Sequence, residues 1–416
     1  MPEAPGGAHM LTRRTLLLGA LSAPAAAGLV LRPRRSGAQQ SPWKIGFSLS
    51  LTGPYAEVGK YQDEGYELWR RHTNESAEKL LGRPIEFVKY DDQSDPATAA
   101  RLFEKLISDD KVDFVLGPYS SATTQAAAPV VERHGFPMLT AGASSESIFQ
   151  RGFKNVFMTY SPAGDYLKGA IDIAKKQGLK RIAAINENTL FPKDTIKGAI
   201  EKGKAAGLEI VLQEEYPKGV TDLSAILTKI RDLNADAVFA GSYFQDAVLL
   251  VRQAKELNVS PKMIAVTVGA ALDSFGRDLG KDAEYIFGAS QWEPNPNLPY
   301  PGIKRFIEDY KKAFGRDPDY HASSGYQAGE VLAAALRKIG KYDRNTAKDR
   351  EALRETIRGL DILTVNGRFK VDPTGLQIGH DILLIQWQKG EKVVVHPDQY
   401  ATGKSLFPMP PWSERR

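Results

Sequence analysis

The sequence predicts an α/β protein built as two doubly wound parallel-sheet lobes. Short β-branched and aromatic runs alternate with amphipathic helical runs from Trp43 onward, and repeated strand–helix units imply parallel sheets covered on both faces. The alternation falls into two series, each over 100 residues long, the second opening after Ser161-Pro162. A third stretch, from Tyr300, has three helices and then strands, too little for another complete series, and 416 residues suffice for two lobes.

The elements read in order as follows. Lys44–Leu49 is a strand, Ala56–Leu80 a helix and Ile85–Tyr90 a β-branched and aromatic strand. Asp95-Pro96 starts the next helix, with Asp as N-cap and Pro at the first helical position. Leu102, Leu106 and Ile107 then share one helix face. Asp113–Leu116, Ser121–His134 and Pro137–Thr140 continue as strand, helix and strand. The second series runs helix Ala163–Gln177, strand Arg181–Asn186, helix Lys193–Ala206, strand Glu209–Glu215, helix Leu223–Leu233, strand Ala237–Ala240 and helix Gln245–Leu257. Strands Met263–Val268 and Tyr285–Ala289 close it, while Gly178 and Gly207 stop their helices in the left-handed conformation. Tyr300–Phe314, Ala322–Lys338 and Thr346–Arg358 are helices; Arg368–Val371, Asp381–Trp387 and Lys392–His396 are terminal strands. This last stretch is expected to return to the first lobe and finish a sheet in the second, with Pro408–Pro411 as loop.

Composition narrows the function. Apolar residues make up 42% and charged residues 25%, which excludes a disordered tail, a collagen or a coiled coil. With no cysteine there is no disulfide, thiolate metal site or cysteine nucleophile. Thr12-Arg13-Arg14-Thr15-Leu16-Leu17 precedes an apolar run, Leu16 to Leu31, and Ser36-Gly37-Ala38 offers a small-residue cleavage site. The paired arginines resemble a twin-arginine export signal, cleaved near Ala38; an uncleaved anchor is the alternative. Of 55 basic and 50 acidic residues, five arginines and Glu3 fall in residues 1–38, leaving 50 and 49, a net +1. No basic stripe remains to suggest nucleic acid.

Familiar catalytic patterns fail on inspection. Gly53 to Lys60 sits where a phosphate loop would, but its spacing is one residue too long and Tyr61 replaces the magnesium-binding hydroxyl. There is no G-x-G-x-x-G opening a helix and no G-x-S-x-G elbow. His72, His134, His321, His380 and His396 are scattered, without metal-ligand spacing. Neither a cofactor nor a metal is expected. Asp91-Asp92 and Asp109-Asp110 read as a strand end and a solvated helix end, because adjacent strand residues point to opposite faces.

A binding cleft survives this scrutiny. Open α/β sheets bind ligands outside the carboxyl ends of their strands. Three such ends are rich in glycine, hydroxyls and aromatics: Ser50 to Tyr55, Gly117-Pro118-Tyr119-Ser120-Ser121, and Thr140 to Ser145. Ser120, Ser121 and Ser144 beside helix starts could seat a carboxylate without an arginine, or could serve only as helix caps. Phe191, Tyr243 and Trp292 follow strands of the second series and could wall the cleft from the other side; Tyr326, within a helix, reads as core.

These features resemble the substrate-binding proteins of ABC importers, in the leucine/isoleucine/valine-binding subfamily of the type I periplasmic binding protein fold. The resemblance runs from Lys44 to about Val395 and rests on Leu51-Thr52-Gly53-Pro54, Tyr90-Asp91-Asp92 before Asp95-Pro96, Gly117 to Ser121, and Gly325-Tyr326-Gln327-Ala328. It implies two lobes joined by a three-strand hinge, closing on a small ligand for delivery to an inner-membrane permease by a monomeric, non-enzymatic, periplasmic protein. The implied lobes are residues 43–160 with 290–365 and residues 161–289 with 366–400, leaving 401–416 as a tail. By the same resemblance Ser120 or Ser121, the Ala143 backbone and Ser144 hold a carboxylate, and Tyr243 contacts the ligand from the second lobe. Tyr55 and Tyr119 join this set as cleft aromatics. Two positions depart from the amino-acid binders: Val58 stands for a tryptophan, and Thr267-Val268-Gly269 lacks the acid that holds an α-ammonium. A buried ammonium without a partner costs several kcal/mol, so the expected ligand is an aromatic or aliphatic carboxylate or an amide. The alternatives are an amino-acid binder in which Glu293 or Asp246 replaces the missing acid, a sensory protein presenting ligand to a receptor, and an exported enzyme with an unrecognised site.

Overall fold

The computed structural model describes residues 41–342 and 345–415, so the expected export segment, residues 1–38, lies outside the described residues. Strand β1 (Trp43–Leu49) is buried on both faces except at Lys44, as a central parallel strand must be. Helix α1 (Ala56–Glu75), β2 (Ile85–Asp91), α2 (Pro96–Ser108), β3 (Phe114–Leu116), α3 (Ser121–His134), β4 (Met138–Thr140), α4 (Glu146–Phe149) and β5 (Val156–Met158) complete the first series. Asp95 caps α2 by accepting from the Thr98 amide at 2.7 Å. The strands form a five-stranded parallel sheet in the order β2-β1-β3-β4-β5.

The second series comprises α5 (Lys168–Lys176), β6 (Arg181–Glu187), α6 (Leu190–Ala205), β7 (Glu209–Tyr216), α7 (Ser224–Asp232), β8 (Ala237–Gly241), α8 (Phe244–Glu256), β9 (Met263–Val266), α9 (Asp273–Leu279) and β10 (Phe287–Ser290). Then come α10 (Ile303–Phe314), α11 (Tyr320–Ile339), α12 (Ala347–Arg358), the hairpin β11 (Asp361–Thr364) and β12 (Gly367–Lys370), and finally β13 (Leu383–Gln388) and β14 (Glu391–His396). The second sheet has seven strands in the order β14-β13-β10-β9-β8-β6-β7. It is parallel except that β13 runs antiparallel to β10 and β14 antiparallel to β13, so both sheets are mostly parallel, as the alternation predicts.

Several boundaries differ from the sequence reading. The first helix stops at Glu75, five residues early. Ala163–Asp165 is a 3-10 turn and the regular helix begins only at Lys168. The strand expected at Arg368–Val371 pairs with β11 rather than with the second sheet, and Phe369 and Val371 bury in the first core. The proline-rich end is irregular, but Met409 and Trp412 insert into the core of the second sheet, with the Trp412 indole donating to the Val259 carbonyl at 2.8 Å.

The chain passes between the sheets three times: after β5, after β10 and after β12. Hydrogen bonds tie the three crossings together. The Ser161 amide donates to Gln291 Oε1 at 2.9 Å, Ser161 Oγ donates to the His380 carbonyl at 2.8 Å, and His380 Nε2 lies 2.7 Å from the Gln291 carbonyl.

The strand order locates the site. In the first sheet the order reverses between β1 and β3; in the parallel part of the second it reverses between β6 and β8. Helices leave such a switch point toward opposite faces, which opens a crevice at the carboxyl ends of the two strands. The four loops so defined begin at residues 50, 117, 188 and 242.

Candidate ligand-binding cleft

The loop after β1 is held by the paired aspartates that end β2. Asp92 is fully buried and accepts from Ser48 Oγ (3.1 Å), Ser50 Oγ (2.7 Å) and the Ser94 amide (3.0 Å). Burial pushes its carboxyl up, against those hydrogen bonds. Asp91 accepts from the amides of Leu51 (3.0 Å) and Thr52 (3.2 Å) and from Thr52 Oγ1 (2.7 Å). Its partial burial alone would raise the carboxyl; the hydrogen bonds outweigh it and hold Asp91 below its ordinary value. The strand-end reading of these acids therefore extends to a structural role, fixing the loop that presents Tyr55.

The serine clusters come together as expected, each with a distinct job. Ser120 Oγ accepts from the Thr123 amide at 3.1 Å and Thr123 Oγ1 accepts from the Ser120 amide at 3.1 Å, a reciprocal cap on α3. Ser121 Oγ accepts from the amides of Ser144 (3.2 Å) and Ser145 (3.3 Å), joining the loops after β3 and β4. Ala143 is buried, its carbonyl accepting from Thr140 Oγ1 at 3.3 Å. Gly142 is required here: a Cβ would lie 2.2 Å from the Tyr119 carbonyl. The buried Ser144 hydroxyl makes no direct hydrogen bond within good geometry and sits beside the Tyr166 hydroxyl.

A chain of rings crosses the crevice from one sheet to the other. The Tyr55 ring lies 5.9 Å from Tyr119 and 4.4 Å from Tyr243, and Tyr243 lies 5.6 Å from Phe191. Phe191 meets Tyr166 at 4.9 Å. On the first-lobe side Tyr119 meets His321 at 5.4 Å, His321 stacks on Tyr320 at 3.9 Å, and Tyr320 meets Tyr160 edge-on at 5.6 Å. The core of the first sheet thus continues through the crevice into Phe191 and Tyr243 of the second. Phe191 falls in the first turn of α6 rather than in a loop, because that helix starts at Leu190. Tyr243 caps α8.

Sequence reasoning missed the hydroxyl-bearing part of this chain. Tyr160, Tyr166, Tyr320 and His321 sit next to strand ends or at a helix start, where an aromatic carries no local mark of function. The only signal was Asp319, a helix-capping residue type just after Pro318. Asp319 accepts from the Ala322 amide at 3.0 Å and lies 2.7 Å from His321 Nδ1, while the Tyr119 hydroxyl lies 3.3 Å from His321 Nε2. The Tyr320 hydroxyl is buried without a protein partner, and the Tyr160 hydroxyl faces Ser324.

The acids proposed to hold an ammonium are both engaged. Asp246 accepts from the Tyr243 amide and the Tyr216 hydroxyl, each at 2.8 Å. Burial and the nearby Glu187 push its carboxyl up to about 7. Glu293 pairs with Lys392 at 3.1 Å, and Lys392 also reaches Asp273 (3.0 Å) and the Ala271 carbonyl (2.8 Å). At the position lacking an acid, Thr267 Oγ1 donates to the Ser242 carbonyl and accepts from the Ser242 amide at 2.8 Å. Glu187, at the end of β6, reaches the rings from the second sheet: it accepts from Thr189 Oγ1 at 2.6 Å and from the Tyr55 hydroxyl at 3.4 Å.

Trp292 stands apart from the other expected residues. It packs on Phe306 at 5.9 Å and lines a cavity of about 600 Å³ beside the crossings, with Tyr300, Arg368, His380, Asp381 and Lys392. Among the described residues no cluster of histidines and acids could hold a metal ion.

Two mostly parallel α/β lobes, three tied crossings and a crevice at paired switch points define a two-lobed binding protein. The chain belongs to the periplasmic binding protein family, whose sequence profile matches residues 42–392. It is a family of binding proteins, not enzymes. The Leu/Ile/Val-binding protein homolog 7 of Brucella suis biovar 1 is 28% identical over 384 residues, covering 88% of this chain and 94% of the relative. Among solved structures, a leucine-binding protein from Thermotoga maritima superposes with a TM-score of 0.77 at 25% identity, covering 86% of this chain and 99% of that one. An ABC-transporter solute-binding protein from R. palustris, in complex with benzoate, superposes with a TM-score of 0.76 at 22% identity over 89% of this chain and 97% of that one.

Proposed function

We propose that this solute-binding protein captures an aromatic or aliphatic carboxylate, or a related amide, between its lobes and delivers it to an ABC-type permease. Residues 43–160 and 290–365, joined by the β11–β12 hairpin, act as one lobe, and the second sheet with its helices acts as the other. Export to the periplasm and monomeric action complete this reading.

One observation carries it: the crevice is lined by neutral hydroxyl donors and rings, while both acids suggested for an ammonium are already engaged. Ser144, Tyr320 and the Tyr119–His321 pair can donate to a carboxylate, and the start of α3 adds its positive dipole end. Tyr55, Tyr243 and Phe191 supply flat apolar walls, which suit a ring or a branched chain. The benzoate bound by the R. palustris protein, and the 3,4-dihydroxybenzoic acid bound by a second solute-binding protein from Rhodopseudomonas palustris BisB5, support the aromatic branch. Ligand contacts to both lobes would shift the open–closed equilibrium by their differential affinity.

Glu187 favours a second reading. Its carboxylate beside Tyr55 could take an ammonium, which would make the ligand an amino acid, as in the relatives named for leucine, isoleucine and valine. A thermal-shift screen of the protein starting at Gln39 separates the two. The panel holds benzoate, 3,4-dihydroxybenzoate, short aliphatic carboxylates, their amides, leucine and isoleucine. A compound at 100 times its Kd stabilises the fold by ~2.7 kcal/mol. A rise in Tm with benzoate or an aliphatic acid, and none with leucine, is the expected outcome; a rise with leucine alone overturns the carboxylate reading in favour of Glu187 as the ammonium seat.

A further inference from the structure

Lys218 lies in the exposed turn between β7 and α7, yet its side chain is half-buried. Its ammonium donates to the Ser94 carbonyl of the first lobe at 3.0 Å and lies 4.5 Å from the centroid of the Tyr55 ring. Burial raises the nearby Glu187 carboxyl above its ordinary value, and the Lys218 charge offsets part of that rise.

The acceptor is unusually well built. Gln93 and Ser94 are consecutive non-glycine residues with φ of +57° and +60°, a conformation that costs energy and persists only where the surroundings enforce it. The buried Asp92 enforces it by accepting from the Ser94 amide at 3.0 Å, and Ser94 Oγ ties the turn to the first loop by donating to the Thr52 carbonyl at 2.8 Å. The Tyr55 amide donates to Ser94 Oγ at 3.2 Å. The turn, the Tyr55 ring and the carbonyl that receives Lys218 are therefore one rigid unit. On the Lys218 side, the backbone amide donates to Asn188 Oδ1 at 3.3 Å, anchoring the turn beside the end of β6.

We propose that Lys218 is a clasp across the mouth of the crevice: by binding the Ser94 carbonyl and covering Tyr55 it holds the lobes together and slows ligand escape. It acts through the lobe equilibrium and does not touch the ligand. This inference rests on the two-lobe binding reading but not on the identity of the ligand. Other contacts also bridge the two sheets' elements: the Tyr55 hydroxyl donates to Glu187 Oε1 at 3.4 Å beside Lys218, and Ser147 Oγ donates to Asp194 Oδ2 at 2.7 Å beyond β4. On the Tyr55 side Lys218 acts beside the weaker Tyr55–Glu187 contact.

The chain has no cysteine, so paired labels are easily placed at exposed sites on α2 and α7, by Arg101→Cys and Asp232→Cys. Distances between spin labels are measured without added ligand and with 1 mM benzoate or isoleucine, in the parent and in Lys218→Met. The expected result is a severalfold larger open population in Lys218→Met without any ligand, largely restored in Lys218→Arg. For whichever probe binds, dissociation is about tenfold faster with association within twofold. Identical ligand-free distance distributions overturn the clasp, even if Lys218→Met weakens benzoate binding, since Lys218 would then be a direct ligand contact. If neither probe binds, the ligand-free distances still decide, so a wrong ligand class is distinguished from a wrong clasp.

Discussion

The two faces of the crevice sit at equivalent switch points of the same strand order, yet their chemistry differs. On the first face, polar groups are locked to one another: Asp91 and Asp92 hold the first loop, Ser120 and Thr123 cap α3 reciprocally, and Ser121 pins residues 144 and 145. On the second face the contributions are rings, Phe191 and Tyr243, backed by acids that burial makes reluctant to ionise, Glu187 and Asp246. Topology decides where a ligand can go; residue content decides what each face does there. The locked face suits orienting a polar head group, because pre-set donors cost little to order on binding. The ring face suits supplying contact area on closure.

This contrast can be broken most forcefully at Tyr243. Tyr243→Ala should weaken binding of the best compound in the panel by roughly thirtyfold or more, as expected for a central buried aromatic. Calorimetric titration checks it. Unchanged affinity would mean that the second face only packs against Tyr55 and does not grip the ligand.

Asp246 offers a test through pH. Its folded carboxyl holds its proton up to about pH 7, whereas the unfolded chain releases it near 3.8. Between these values the folded state binds the extra proton, so this group's contribution to stability falls as pH rises, by up to ~1.4 kcal/mol per pH unit, and levels off above the folded value. Relative to Asp246→Asn, the parent should therefore lose several degrees of Tm between about pH 4 and pH 7. Parallel Tm curves for the two proteins would show that the acid is ionised throughout.

The smallest effect sharpens the first face. Ser120→Ala removes a helix cap and should cost ~1 kcal/mol of stability, read from denaturant unfolding. If the hydroxyl only caps, affinity for the panel compound stays within about twofold. A larger loss, compared with Thr123→Ala as a control for the cap alone, would place Ser120 in the ligand contact as well.

Much of this arrangement was legible along the chain because it is local. A Ser or Asp before a helix, a Pro after it and a Gly at its end report backbone demands within one turn, and the caps at Asp95 and Ser120 follow them. Short runs rich in apolar residues, such as β1 and β8, mark strands buried on both faces, which is enough to count two parallel sheets. The strand-end loops of Tyr55, Tyr119, Ser121, Ser144 and Tyr243 follow from that count.

Other features depend on which distant segments meet, and no local pattern records that. Strand β12 carries the same β-forming residues whether it joins the second sheet or folds back on β11; burial of Phe369 in the first core selects the hairpin. Trp292 reads like the other strand-end aromatics, but the crossing carries it onto Phe306 and into the hinge cavity. Tyr160, Tyr320 and His321 look like ordinary core residues until two separate segments set their rings against one another. The engagement of Glu293 by Lys392, nearly 100 positions away in the chain, is likewise a property of the assembled hinge. The sequence alone determined the sheets, the caps and the family, since these rest on short-range backbone and burial requirements. Only the tertiary structure decided which rings meet across the crevice, which acids are already occupied and where Lys218 reaches across, because hydrogen bonds and charges pair by proximity in space rather than along the chain.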